Sequence, residues 1–218
     1  MDLVVADLGF GYSFETWQVL QDKYWEGCVQ GSQNRLVFAE HPPVYTAGAS
    51  CAGNAEKIQQ CFKKPVDQLP ANVALTRRGG LVTYQGPGIL STYCIFKIGN
   101  LGINFLHEIL HRAGMSLLQC YGIENITVGA GEKRGLFLEP GKKIASFGFQ
   151  ISRGVSRYGC AISLDPEQIY LDPLIPCGLE GYELTSLARE LKREKFSREE
   201  KAAIQQVLVA EITARLNK

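Results

Sequence analysis

The sequence predicts an α+β fold: a mixed, largely antiparallel sheet with helices packed on it. Three observations carry that prediction. Strand-like and helix-like runs are both present, but they do not alternate in the regular order that a doubly wound parallel sheet needs. Four strand-like runs follow one another between residues 126 and 164. Amphipathic helical runs at 103–121 and after Ser197 supply the apolar stripes that would cover a sheet face.

The elements follow in order. After a short apolar start, Leu3 to Val5, Ser13 is placed to cap a helix with Trp17, Leu20, Tyr24 and Cys28 on one face. Arg35 to Phe38 reads as a strand ended by His41-Pro42-Pro43. Residues 51–72 are polar and irregular, a loop with a short helix. Arg77 to Tyr84 and Ile89 to Ile98 read as strands on either side of Gly86-Pro87-Gly88. The helix at 103–121 rests on Ile103, Leu106, Leu110, Leu117 and Leu118. Strands are predicted at Ile126 to Val128, Gly135 to Leu138, Lys143 to Ser152 and Ser156 to Leu164, with a turn at Glu139-Pro140-Gly141. Ser197 and Glu200 form a capping box opening a last helix that carries Ile204, Val207, Val209 and Ile212.

Composition narrows the function class. The 218 residues suit one domain, residues 1–218, with no repeat or linker. Hydrophobic residues make up 45% and charged residues 21%, ordinary for a globular chain. A net charge of +1 gives no bulk pull toward nucleic acid or an anionic membrane. No run approaches the ~18 apolar residues of a membrane span, and the N-terminus lacks the pattern of a secretory signal. A cytoplasmic protein is expected. The seven cysteines (28, 51, 61, 94, 120, 160 and 177) are odd in number and include no CxxC, which predicts free thiols, mostly buried.

Three segments carry chemistry. In RGGLVTYQGPG (78–88), glycine clusters flank a short strand and let a ligand approach the backbone closely. In KIASFGFQI (143–151), regular alternation puts Lys143 with Ala145, Phe147, Phe149 and Ile151 on the more apolar face. Lys142 falls with Ile144, Ser146, Gly148 and Gln150. An ammonium on an apolar face costs energy unless it is paired. In IPCGL (175–179), Cys177 stands on a loop between proline and glycine. A free thiol, pKa about 8.5, is only a few per cent thiolate at pH 7, and a nearby cation raises that fraction.

Together these segments resemble the octanoyltransferases of lipoate biosynthesis, in the biotin/lipoate protein ligase superfamily. That family carries RGG-x-VTYHGPG, KIA-x-x-G, HGLALN-like and (I/V)PCG(I/L)…TSL segments. Here they read RGGLVTYQGPG (78–88), KIASFG (143–148), YGCAIS (158–163) and IPCGL…TSL (175–187), with EHPPVYTAG at 40–48. The resemblance spans most of residues 1–190 and implies a biotin/lipoate ligase catalytic-domain fold. It implies that Cys177 attacks the octanoyl thioester of an acyl carrier protein and that Lys143 stabilises its thiolate. It also implies that Lys143 takes a proton from the incoming amine. The acceptor would be a lysine of the lipoyl domains of 2-oxoacid dehydrogenases or of the glycine cleavage H protein. Arg78, Gly79, Gly80, Leu81, Val82, Thr83, Tyr84 and Gln85 would line an acyl tunnel and offer backbone donors to an oxyanion, with Ser146, Phe147 and Gly148 and with Gly159, Cys160 and Ala161. No metal, nucleotide or organic cofactor is required, because the thioester is already activated. The chain departs from the family at Gln85 and Tyr158, where histidines are usual, at Ile89 in place of glutamine, and at Ser163 in place of asparagine. These positions bear on acceptor choice, chain length and rate.

Other readings remain open from the sequence. An amidotransferase could move octanoyl or lipoyl groups between carrier proteins through the same cysteine. His107-Glu108-Ile109-Leu110-His111 matches HExxH, the pattern of a zinc hydrolase, though no third-ligand motif follows it. The lost histidines would suit a member that binds acyl chains without turnover. An ATP-dependent ligase would leave IPCG unexplained and lacks a GRGRxG-like segment.

Overall fold

β1 (Leu3–Phe10) lies parallel to β2 (Asn34–Glu40), at one edge of the main sheet. α1 (Phe14–Val29) links the two. The computed structural model describes residues 2–51, 53–131, 134–138, 141–176 and 181–216. Among these, eight strands form the main sheet. It runs β1, β2, β6 (Ile89–Ile95), β10 (Val155–Ser163), β9 (Lys142–Ser152), β8 (Gly135–Leu138) and β7 (Ile126–Gly129). From β2 to β7 every neighbour is antiparallel. The short β11 (Glu183–Leu184) adds in parallel to the start of β9. A separate sheet holds β4 (Asn72–Leu75), β3 (Val44–Ala47) and β5 (Val82–Gln85). The mixed, mostly antiparallel α+β architecture is the one the pattern of runs predicted.

Helices cover both faces. α3 (Gly102–Cys120) buries Leu106, Ile109, Leu110, Leu117 and Leu118 against β8, β9 and β10. α6 (Arg198–Leu216) packs on α3 through Ile204, Leu208, Ile212 and Leu216. Its capping box forms as predicted: Ser197 Oγ accepts from Glu200 N at 3.2 Å, and Glu200 Oε2 accepts from Ser197 N at 2.7 Å. α1 is capped by Ser13, whose Oγ accepts from Thr16 N at 3.1 Å. Its buried face differs from the expected one. Phe14, Trp17, Gln21, Trp25 and Cys28 are inside, whereas Leu20 and Tyr24 are only partly covered. Gln21 is buried because its Oε1 accepts from Tyr158 N at 2.8 Å. α2 (Ala55–Gln59), α4 (Gln168–Leu171) and α5 (Leu187–Glu190) are short connectors, α5 capped by Ser186.

One strand prediction changes, and two strands were not predicted. The expected strand Arg77 to Tyr84 is regular only as β5, because residues 77–81 bend across the end of β9. β3 and β4 lie in stretches for which the sequence predicts no element, save Asn72 at the end of the expected loop. Both have four residues, too short for a clear alternation. The turn predicted at Glu139-Pro140-Gly141 falls largely outside the described residues. Cys28, Cys51, Cys61, Cys94 and Cys160 are buried free thiols, as expected, and Cys120 is an exposed one. Among the described residues no helix is long and apolar enough to cross a membrane.

Candidate active site

The site is built on β9 and β10, whose antiparallel register places Ser146 opposite Ala161 and Gly148 opposite Gly159. The decisive local feature lies just before this pairing. β8 matches Leu136 with Ala145 but Phe137 with Lys143, so Ile144 is an extra residue. Such a bulge breaks the two-residue period of a strand. Ile144 and Ala145 both join the core beneath α3, and Lys143 lines the same pocket as Ser146. This corrects the expected alternation: Lys143 does not share a face with Ala145, Phe147 and Phe149. Lys142 reaches Glu190 at 3.4 Å.

Lys143 is 6% exposed. Its Nζ lies 5.4 Å from the Phe137 ring centroid, and its carbonyl accepts from Thr185 N at 2.9 Å. The pocket it enters is walled by Val82, Thr83, Tyr84, Ile89, Ser146, Ala161, Ser163, Leu171, Leu174, Ile175, Pro176 and Leu184. A second pocket shares Thr83, Ser146 and Ala161 with it. This one continues along β9 and β10 to Phe147, Gly148, Tyr158, Gly159 and Cys160, and is closed by Phe14, Thr46, Arg78, Gln85 and Tyr93.

Most of the residues singled out in the sequence are therefore brought together. Arg78, Thr83, Gln85, Ser146, Phe147, Gly148, Gly159, Cys160 and Ala161 line the second cavity, and Val82 and Tyr84 the first. Gly79 and Gly80 face a neighbouring recess with Arg134 and His107. Leu81 packs into the apolar cluster around Tyr45 and Tyr84. The Gly79 amide donates to Phe149 O at 2.9 Å, so it fixes the loop to β9 and is already engaged, unlike the oxyanion donor expected. Gly148 permits that contact, since a Cβ there would stand 2.8 Å from Gly79 O. Cys177, with Gly178 and Leu179, lies outside the described residues. Pro176, its chain neighbour, lines the pocket of Lys143.

Electrostatics separates the groups. Arg78 is 8% exposed, and burial lowers its pKa to about 10. Its guanidinium donates to Thr46 O, to Thr46 Oγ1 at 2.9 Å and to Gly79 O at 3.1 Å. The loop cation thus ties β3 to the glycine turn. Gln85, in the family's histidine position, accepts from Ser91 Oγ at 2.5 Å. The Cys160 thiol is pushed up to about 12 by burial and stays protonated. Phe14, Thr46, Tyr93, Leu171, Leu174 and Leu184 also line the pockets and were not singled out. They come from segments distant in sequence, and nothing local marks them.

The HExxH residues do not make a metal site. Arg134 Nη1 donates to His107 Nε2 at 2.9 Å, so a cation occupies the nitrogen a metal would need. Glu108 turns to Arg112 at 3.1 Å, on an exposed flank. Burial, then Arg134 and His111, lowers the His107 pKa to about 4. Among the described residues no three His, Cys, Asp or Glu side chains gather to hold an ion.

This sheet, with its glycine loop and buried strand lysine, has the fold seen in lipoate and biotin protein ligases. A bipartite lipoate protein ligase from Thermoplasma acidophilum superposes with a TM-score of 0.69 at 16% identity, covering 100% of this chain and 84% of that one. A biotin protein ligase from Aquifex aeolicus gives 0.53 at 10% identity, covering 100% and 69%. At such identities the likeness concerns the fold. The description "Lipoyl protein ligase A/B catalytic domain" matches residues 15–210. Octanoyltransferases are similar over nearly the whole chain. That of Corynebacterium jeikeium is 30% identical over 206 residues, 89% of this chain and 80% of the relative. That of Alkalilimnicola ehrlichii is 34% identical over 191 residues, 85% and 81%. That of Christiangramia forsetii is 31% identical over 216 residues, 91% and 90%. The chain belongs to the octanoyltransferase family of acyltransferases.

Proposed function

We propose that the chain transfers an octanoyl group from an acyl carrier protein to a lysine of a lipoyl-type domain, through a thioester on Cys177. The observation that carries this reading is the position of Lys143. It is a buried lysine on the wall of a largely apolar pocket, with Pro176 on the same pocket wall. The names of the relatives supply the acyl group.

The chemistry balances in two steps. The Cys177 thiolate attacks the donor carbonyl, a new C–S bond forms, and the carrier's C–S bond breaks. The Lys143 ammonium gives its proton to the departing carrier thiolate. The neutral Lys143 amine then takes a proton from the acceptor lysine as that amine attacks. A C–N bond forms, the Cys177–acyl bond breaks, and the thiolate–ammonium pair is restored. Thr83, Ser146 and Ala161 form the waist through which the acyl chain passes. The lipoyl domains of 2-oxoacid dehydrogenases and the glycine cleavage H protein are the acceptor class. The same reading treats residues 1–218 as one domain: α6 meets the N-terminal strand through Gln205 Nε2 and Asp7 at 3.2 Å. It also places the chain in the cytoplasm and requires no cofactor.

The test is intact-mass spectrometry after incubation with octanoyl-loaded acyl carrier protein. One hydroxylamine-sensitive octanoyl adduct is expected on the wild type and none on Cys177→Ala. An adduct retained in Cys177→Ala overturns the assignment.

A further inference from the structure

We infer that Tyr158 sets the acyl chain length by closing the far end of the cavity; the inference rests on the transferase reading above. Tyr158 is the residue in the middle of β10 whose backbone turns into the left-handed region, with φ of 64°. That conformation is uncommon for a bulky residue and costs of order 1–3 kcal/mol unless the surroundings over-determine it. Here they do. Its N–H donates to Gln21 Oε1 at 2.8 Å, and its hydroxyl accepts from Arg77 N at 3.2 Å. The ring is thereby held between α1 and the glycine loop, 4% exposed.

Its position along the strand matches the task. Ser163 lines the pocket of Lys143 and Tyr158 the adjoining pocket, and the two pockets share Thr83, Ser146 and Ala161. Ser163 and Tyr158 are five positions apart on β10, about 17 Å at ~3.4 Å per step. Seven C–C bonds of about 1.5 Å in zigzag span roughly 9 Å. An octanoyl group whose carbonyl lies between Lys143 and Ala161 therefore ends near Gly159, against the Tyr158 ring. The other aromatic walls are committed elsewhere. Phe14 and Tyr93 belong to the apolar cluster beneath α1, and Tyr93 Oη donates to His41 Nε2 at 2.6 Å. Tyr158 packs in none of the three apolar clusters of the described residues, so its ring is the wall that can be shortened at least cost to the core.

The experiment compares loading from octanoyl-, decanoyl- and dodecanoyl-acyl carrier protein by intact mass, in wild type, Tyr158→Phe, Tyr158→His and Tyr158→Ala. The dodecanoyl-to-octanoyl rate ratio should rise roughly tenfold or more in Tyr158→Ala. It should rise less in Tyr158→His and stay near wild type in Tyr158→Phe, which keeps the ring. Histidine tolerates the left-handed backbone better than most residues, so Tyr158→His decides the matter if the alanine variant does not fold. Octanoyl loading with an unchanged ratio in Tyr158→His and Tyr158→Ala overturns the proposal alone. A wild type that loads none of the three donors overturns the transferase reading, and the proposal with it.

Discussion

Lys143 and Ser146 line one pocket although an odd number of positions separates them on β9. A regular strand would put them on opposite faces. The bulge at Ile144, between the Leu136–Ala145 and Phe137–Lys143 pairs, removes the conflict by sending both Ile144 and Ala145 into the core. A side chain that alternation assigns to the apolar layer is thereby delivered to the cavity.

The bulge depends on a glycine. A Cβ on Gly135 would stand 2.1 Å from Ala145 O and 2.8 Å from Lys143 Cε. Gly135→Ala should cost about 1–3 kcal/mol of stability, read as a lower urea midpoint. It should also slow acyl loading by more than tenfold, because it displaces the lysine. A variant with wild-type loading would show that the lysine's place does not depend on this packing.

Arg78 holds the glycine loop by donating to Thr46 and Gly79. Arg78→Met leaves those buried carbonyls without a donor and should cost about 1–3 kcal/mol in urea unfolding. Arg78→Lys should recover little, because an ammonium cannot reproduce the planar fork. Equal stability of all three proteins would refute the role.

The histidines make stability depend on pH. Burial lowers the pKa of His41, His107 and His111, that of His107 to about 4. In the unfolded chain each protonates near 6.5. Between about pH 4 and 6.5 the unfolded state therefore binds more protons, and these groups make stability rise with pH across that window. The urea midpoint should fall as pH drops from 7 to 5, and His107→Asn should flatten the slope. An unchanged slope in that variant would contradict the assignment.

The sequence made some of this legible for physical reasons. The long strands and α3 show apolar periods, and the Ser197–Glu200 box marks a helix start within four residues. The glycine loop, the β9 segment and the β10 segment could be assigned to one site by resemblance, and the structure brings their side chains together. The bulge at Ile144 was hidden because it depends on how β8 pairs with β9. The burial of Gln21 was hidden because its partner, the Tyr158 amide, lies 137 residues away. Phe14, Thr46 and Tyr93 reach the cavity from three separate elements, and only the fold connects them.

The central claim is that a lysine cation activates one particular thiol. Its most direct test is the pH dependence of Cys177 alkylation by iodoacetamide, followed by peptide mass in a Cys120→Ser background to remove the exposed competing thiol. The wild type should give an apparent pKa well below the ordinary value of about 8.5, and Lys143→Ala should return it to that value or above. The same apparent pKa in both proteins would contradict the account.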